Sequence, residues 1–156
     1  MISLDTNILG FAANSAAREH SQARAFVDRL ETEGAEVVLC ELMLVEFYNL
    51  LRNPAIFARP ATAVAAAAVV RSYRQHPRWR LVDYPGPDAR LAEPLWRAAA
   101  SPQFPRRRIY DARLALTLRH HGVTEFATAN VKDFEGFGFT RVWNPLESQR
   151  PALEGS

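Results

Sequence analysis

The stretch E-V-V-L-C-E-L-M-L-V-E-F-Y-N-L-L-R-N-P, residues 36–54, decides the fold class. Its first part, Glu36 to Cys40, is a short apolar run carrying two β-branched valines and reads as a buried strand. Its second part, Glu41 to Arg52, switches period. Leu42, Val45, Leu50 and Leu51 recur at helical spacing, and Pro54 stops the helix. A buried strand feeding directly into a helix is the opening half of a parallel α/β unit.

The same alternation continues outward in both directions. Upstream, Ile2 to Leu4 reads as a short buried strand ending at Asp5. A helix from about Ala17 to Glu33 follows, with Ala23, Phe26, Val27 and Leu30 on one face and Gly34 closing it. Downstream come an alanine-rich helix over 61–75, a strand over Arg80 to Val82, and the turn Pro85-Gly86-Pro87. Asp88 can cap a helix reaching Ala100, and Ser101 to Arg108 is a proline- and arginine-rich loop. A helix from Ile109 to His121 ends at Gly122. Strand Glu125 to Thr128, a short helix from Asn130 to Gly136, and an edge strand over Thr140 to Val142 complete the series. The expected architecture is an α/β chain with a central, mostly parallel sheet and helices on both faces. No repeat or domain-scale linker interrupts it, so residues 1–145 are expected as one domain and 146–156 as a loosely ordered tail.

Composition narrows the setting. The chain has 156 residues, 48% of them apolar, and a single cysteine, Cys40. That excludes an intrachain disulfide and a Cys/His zinc site. Met1-Ile2-Ser3-Leu4-Asp5 does not resemble a signal peptide, and Ala63 to Val70 is too short to span a bilayer. A cytoplasmic protein without a membrane partner is the expectation. The net charge of +2 hides an asymmetry: residues 51–121 carry 13 arginines against four acids, and the remainder is acidic. Arg106-Arg107-Arg108 is the densest point, and with Arg113 it suits phosphate groups, because a guanidinium donates two parallel hydrogen bonds. Arginines spread over solvated helix faces would give the same count.

Four acids stand out against this background. Asp5 sits directly after a buried strand, at the edge of a parallel sheet where binding crevices form. Glu46 shares a helix face with Leu42, Met43 and Leu50. Asp111 crowns the stripe Leu114, Ala115, Leu118, and Asp133 follows Asn130 by three residues. Each has a plainer use as a cap, a dipole acid, or an arginine-paired glutamate. Together they imply converging carboxylates. Two unit charges 4 Å apart repel by roughly 4 kcal/mol at an effective dielectric of 20, so such a cluster stays ionised only around a cation. Oxygen-only ligands select Mg²⁺ or Mn²⁺. A carboxylate-held divalent ion beside a cationic surface is equipment for phosphodiester hydrolysis.

The segments I-S-L-D-T-N-I-L (2–9), L-C-E-L-M-L-V-E-F-Y-N-L-L-R-N-P (39–54), R-I-Y-D-A-R-L-A-L-T-L-R-H-H-G (108–122) and F-A-T-A-N-V-K-D-F (126–134) resemble, in this order, a PIN-domain ribonuclease of the VapC toxin family. The resemblance implies a three-layer α/β/α sandwich and an Mg²⁺- or Mn²⁺-dependent endoribonuclease. It also implies a cognate VapB-type antitoxin and a homodimer. The family's acids fall on Asp5, Glu46, Asp111 and Asp133. Thr6 matches the hydroxyl residue that orients the first acid, and Asn130 the polar position near the last. Ala129 departs from the polar or basic residue that relatives often carry there. The alternative is a catalytically silent PIN module that binds RNA or a protein. A receiver-type acidic pocket fits less well, because Lys132 is the only lysine. His120 and His121 read as helix-end residues, Cys40 as core, and Phe47, Tyr48, Trp79, Trp96 and Trp143 as packing or interface rather than base-stacking groups.

Overall fold

The computed structural model describes residues 1–87 and 89–147. The expected cap at Asp88 and the tail from residue 148 onward lie outside the described residues. Five three-residue strands are present: β1 (Ile2–Leu4), β2 (Val38–Cys40), β3 (Arg80–Val82), β4 (Glu125–Ala127) and β5 (Arg141–Trp143). All their ladders are parallel. β1 pairs with β4 and β4 with β5, while β2 pairs with β3. The two ladders meet at the bridge between Ile2 and Val37, where Ile2 N donates to Glu36 O at 3.0 Å. The strand order is therefore 3-2-1-4-5. The chain runs outward from β1 to β3, returns to β4 beside β1, and then runs the other way to β5.

Among the described residues, seven helices accompany these strands: α1 (Thr6–Ala13), α2 (His20–Thr32), α3 (Glu41–Leu51), α4 (Ala63–Arg74), α5 (Ala89–Ala99), α6 (Arg108–His120) and α7 (Val131–Phe134). Right-handed crossovers place the first four on one face of the sheet and the last three on the other. The packing agrees: α1 meets α2 and α3, and α3 meets α4, while α6 meets α5 and α7. This is the expected three-layer sandwich. The direction of winding reverses between β1 and β4, and a crevice opens at the carboxyl ends of strands flanking such a reversal. Asp5 stands at that point.

The core holds Leu4, Ile8, Leu9, Met43, Phe47, Leu118, Phe126 and Phe134, all essentially buried. Rings of Phe126 and Phe134 lie 4.5 Å apart, and Phe47 meets Tyr73 edge-on at 5.7 Å. Trp79 is also buried, whereas Trp96 is largely exposed. Helix α4 turns only Ala66 fully inward, so its alanines lie mainly on the surface.

One helix is added and several boundaries shift relative to the sequence expectation. Residues 6–13 form a helix that the sequence reading passed over, and the following helix begins at His20 rather than Ala17. T-N-I-L-G-F-A-A has no polar stripe to mark a period, because Thr6, Ile8, Leu9, Gly10 and Ala12 are all buried. Gly10 weakens helix propensity but admits α3: a Cβ there would sit 2.3 Å from Leu50 Cδ2. The edge strand also lies one residue further on than expected, over Arg141–Trp143.

Gly122 ends α6 with φ +86°, and Val123 N donates back to Leu118 O at 3.0 Å. A Cβ at this position would lie 2.7 Å from Met1 Cε. Gly122→Ala is expected to destabilise the fold by about 1–2 kcal/mol, from left-handed backbone strain and displacement of Met1. Urea unfolding checks this, with the midpoint lowered and the m-value unchanged.

Candidate active site

Asp5 is the residue before α1, but its carboxylate closes no capping bond to that helix. It is 9% exposed and is held across the β1–β4 pair. Its N–H donates to Ala127 O at 2.8 Å. Its Oδ2 accepts from Thr128 Oγ1 at 2.6 Å and from Asn7 Nδ2 at 2.9 Å. The restraint extends one step further, since Asn130 N donates to Thr128 Oγ1 at 2.9 Å and Ala129 N to Asn7 Oδ1 at 3.4 Å. Burial pushes the Asp5 carboxyl up to about 6; the Thr128 hydroxyl and the Thr6 and Asn7 N–H groups pull against this, and the charge of Glu46 adds to it.

Glu46 reaches the same place from α3. Its Oε2 accepts from Thr6 Oγ1 at 3.1 Å. Burial raises its pKa, the Thr6 bond opposes that, and Asp111 raises it further. The Thr6 hydroxyl thus serves Glu46, while Asp5 is oriented by Thr128 and Asn7 and receives from Thr6 only the influence of its backbone N–H. The geometry requires this division: Thr6 Oγ1 also lies 3.5 Å from Met43 O, on the α3 side.

Asp111 enters from the first turn of α6. Its pKa also rises to about 6, through burial, then through the charges of Asp5 and Asp133, with Arg108 acting in the opposite sense. Asp133 is exposed on α7, which follows Asn130; Asp133 N donates to Asn130 O at 3.1 Å, and Asn130 makes no side-chain cap. Asp5, Glu46 and Asp111 therefore act on one another's charge at the winding reversal, and Asp133 acts on Asp111. Among the described residues, no three His, Cys, Asp or Glu side chains close into a ready metal cage. The donor set is all oxygen and self-repelling, which suits a hard divalent cation. The carboxylates must still draw together to coordinate one.

The arginines separate. Arg106 and Arg107 are exposed in the loop before α6. Arg108 turns partly inward, with Nη2 donating to Glu135 O at 3.3 Å and its guanidinium 5.3 Å from the Phe137 ring centre. Its Nε is the one buried side-chain nitrogen or oxygen without a hydrogen-bond partner among the described residues. The expected single patch at 106–108 is thus divided, because the helical start at Arg108 rotates that side chain toward α7. Arg113 is exposed and lies over Tyr84.

The two residues that hold the Asp5 carboxylate, Asn7 and Thr128, are not among those singled out from the sequence. The usable signal was a polar residue at the carboxyl end of each of two strands predicted to be buried. The remaining candidates stand apart. Cys40 is buried, and burial raises its thiol pKa. His120 and His121 lie at the far end of α6, with His121 Nε2 3.0 Å from Asp83 O. A cavity of about 410 Å³ lined by Met1, Phe26, Arg29, Glu125, Arg141 and Trp143 opens at the amino edge of the sheet, opposite the acids.

Comparison with known proteins places the fold in a family. The PIN domain family model matches residues 2–139. The chain is 49% identical over 149 residues to Ribonuclease VapC24 of Mycobacterium tuberculosis, in both the CDC 1551 and H37Rv strains, covering 95% of this chain and 99% of that protein. A crystal structure of Mycobacterium tuberculosis VapC20, described as a sarcin–ricin loop cleaving toxin, superimposes with a TM-score of 0.59 at 18% identity. That match covers 81% of this chain and 87% of VapC20 and is a likeness of fold. With the family model spanning most of the chain and a near-full-length relative at this identity, the chain belongs to the PIN-domain, VapC-toxin family of ribonucleases.

Proposed function

We propose that this protein is a metal-dependent endoribonuclease, the toxin of a VapBC-type pair, hydrolysing RNA phosphodiester bonds. The observation that carries the reading is the acid cluster: Asp5 at the carboxyl end of β1 and Asp111 on the first turn of α6 are both pushed up to about 6 by burial and by neighbouring acids. That arrangement disfavours the metal-free ionised state and is relieved by a divalent cation. Asp5, Glu46 and Asp111 would hold Mg²⁺ or Mn²⁺, with Asp133 completing the pocket. Held there, such an ion would supply a water of lowered pKa and offset charge developing on the scissile phosphate.

The chain's own residues do the rest. Thr128 and Asn7 fix the Asp5 carboxylate, and Thr6 fixes Glu46. One of the carboxylates accepts the proton of the attacking water. Arg106 and Arg107 are free to meet the phosphate backbone, which is where RNA binding draws most of its affinity. Arg108 moderates the charge of Asp111 from its fixed position over Phe137. The same reading brings a cognate VapB-type antitoxin, a homodimer and a cytoplasmic setting. No described helix is long and apolar enough to cross a membrane.

The alternative is a silent PIN module that binds RNA without cutting it. Incubation with defined tRNA and rRNA fragments separates the two. Cleavage with Mg²⁺ or Mn²⁺ that EDTA stops and excess metal restores supports the nuclease. Binding without turnover at any metal concentration supports the module.

A further inference from the structure

We propose that Arg113 and Tyr84 form a nucleotide-binding subsite at the carboxyl edge of the sheet, where a base of single-stranded RNA stacks while an adjoining phosphate meets the guanidinium edge. The proposal rests on the RNA-cleaving reading and adds a place for the substrate to lie. Tyr84 follows β3, on the same carboxyl edge of the sheet as Asp5. Arg113 follows Asp111 by two residues on α6, about 200° round the helix, so the two side chains leave different faces; its charge reaches Cys40, the last residue of β2, on that same carboxyl edge. The Arg113 guanidinium carbon is 4.7 Å from the Tyr84 ring centre, a stacking distance.

Three arginines of α6 lie over rings, Arg108, Arg113 and Arg119, and comparison of Arg108 with Arg113, the two nearest its amino end, separates a committed side chain from an available one. Arg108 also lies over an aromatic ring, but it is partly buried and committed to Glu135 O. Arg113 is exposed, and among the described residues its side chain makes no hydrogen bond or ion pair, so the five N–H donors of its fork remain available. Tyr84 is half-buried, so part of its ring stays accessible beside the guanidinium. The pair offers one flat π face and one donor edge. Bases stack on such a face whatever their identity, and the edge matches a phosphate bidentately. A carboxylate peptide would use the edge but not the face, so a nucleic acid strand is the occupant that uses both.

The test uses the full-length protein in EDTA with a fluorescein-labelled single-stranded oligoribonucleotide about ten nucleotides long, read by anisotropy across a salt series. Arg113→Ala and Tyr84→Leu are each expected to weaken binding by about five- to thirtyfold. Arg113→Ala should also flatten the log–log salt dependence by about 0.7, one phosphate contact on a single strand. Tyr84→Phe should bind within about twofold of the parent, since the ring and not the hydroxyl does the stacking. Arg113→Lys should keep the salt slope and lose affinity, because a lysine holds charge without a plane. With metal restored, KM should rise while kcat holds, the signature of lost uniform binding. Thermal melting confirms that each variant is folded; if Tyr84→Leu is not, Arg113→Lys decides. Unchanged affinity and KM in folded Arg113→Ala and Tyr84→Leu overturns the subsite and leaves the nuclease standing. A parent protein that neither binds nor cuts RNA with Mg²⁺ or Mn²⁺ present overturns both.

Discussion

An Asp5→Asn variant is expected to lose RNA cleavage by at least about a hundredfold and, in EDTA, to melt several degrees above the parent. The two effects have one cause. Asp5 is 9% exposed, and burial is the largest contribution holding its carboxyl up at about 6. Ionising such a group at pH 7.5 destabilises the folded protein by about 3 kcal/mol relative to an ordinary aspartate. Asparagine fills the same volume, and its carbonyl can still accept from Thr128 and Asn7, which now bond Oδ2. The charge is gone, and with it both the repulsion from Glu46 and the pull on a divalent ion. Activity assays on tRNA and rRNA and differential scanning calorimetry, each with and without Mg²⁺, check the pair. Parent-level cleavage by Asp5→Asn with Mg²⁺ present would remove Asp5 from the proposed chemistry. Loss of activity accompanied by a lower metal-free melting point would mean that the variant is damaged rather than disarmed.

The opposite direction of those two effects also explains what was legible in the sequence. Strands β1, β2, β3 and β4 announce themselves because each is a short apolar run, and their alternation with helices dictates a parallel sheet. The acids were legible because a carboxylate on an apolar face, such as Glu46 among Leu42, Met43 and Leu50, breaks the local pattern where function intrudes. Helix α1 was not, since burial on nearly every side erases the periodicity that marks a helix. Thr128 and Asn7 were hidden for another reason. Their role depends on the β1–β4 pairing, which brings Thr128 within 2.6 Å of a residue 123 positions away. No local spacing records such a contact. The arginine run 106–108 misled in the reverse sense: three consecutive charges look like one patch, but a helix starting at Arg108 sends the third side chain toward Phe137. Arg113 and Tyr84 were separated by too much chain for their stacking to be read.

The same electrostatics set the pH dependence of stability. Asp5 and Asp111 both titrate near 6 in the folded protein and near 3.8 when unfolded, and Glu46 moves in the same direction. A raised folded-state pKa means that the native protein holds protons the unfolded chain releases between about pH 4 and 6. The contribution of these groups to stability is therefore greatest below about pH 4, declines as pH rises to about 6, and is flat above that. Asp5 dominates, because Asp111 and Glu46 are only half-buried and solvent screens part of their effect. Melting points measured in EDTA should accordingly rise as pH is lowered from 7 to 5, where many proteins begin to weaken. Millimolar Mg²⁺ or Mn²⁺ should abolish or reverse that slope, since a cation bound by ionised carboxylates competes with protons for the same oxygens. In the double variant Asp5→Asn/Asp111→Asn the slope should shrink and the metal effect disappear together. A slope that persists unchanged in the double variant assigns the titration to other groups. A metal effect that survives it places the ion away from the β1–β4 crevice.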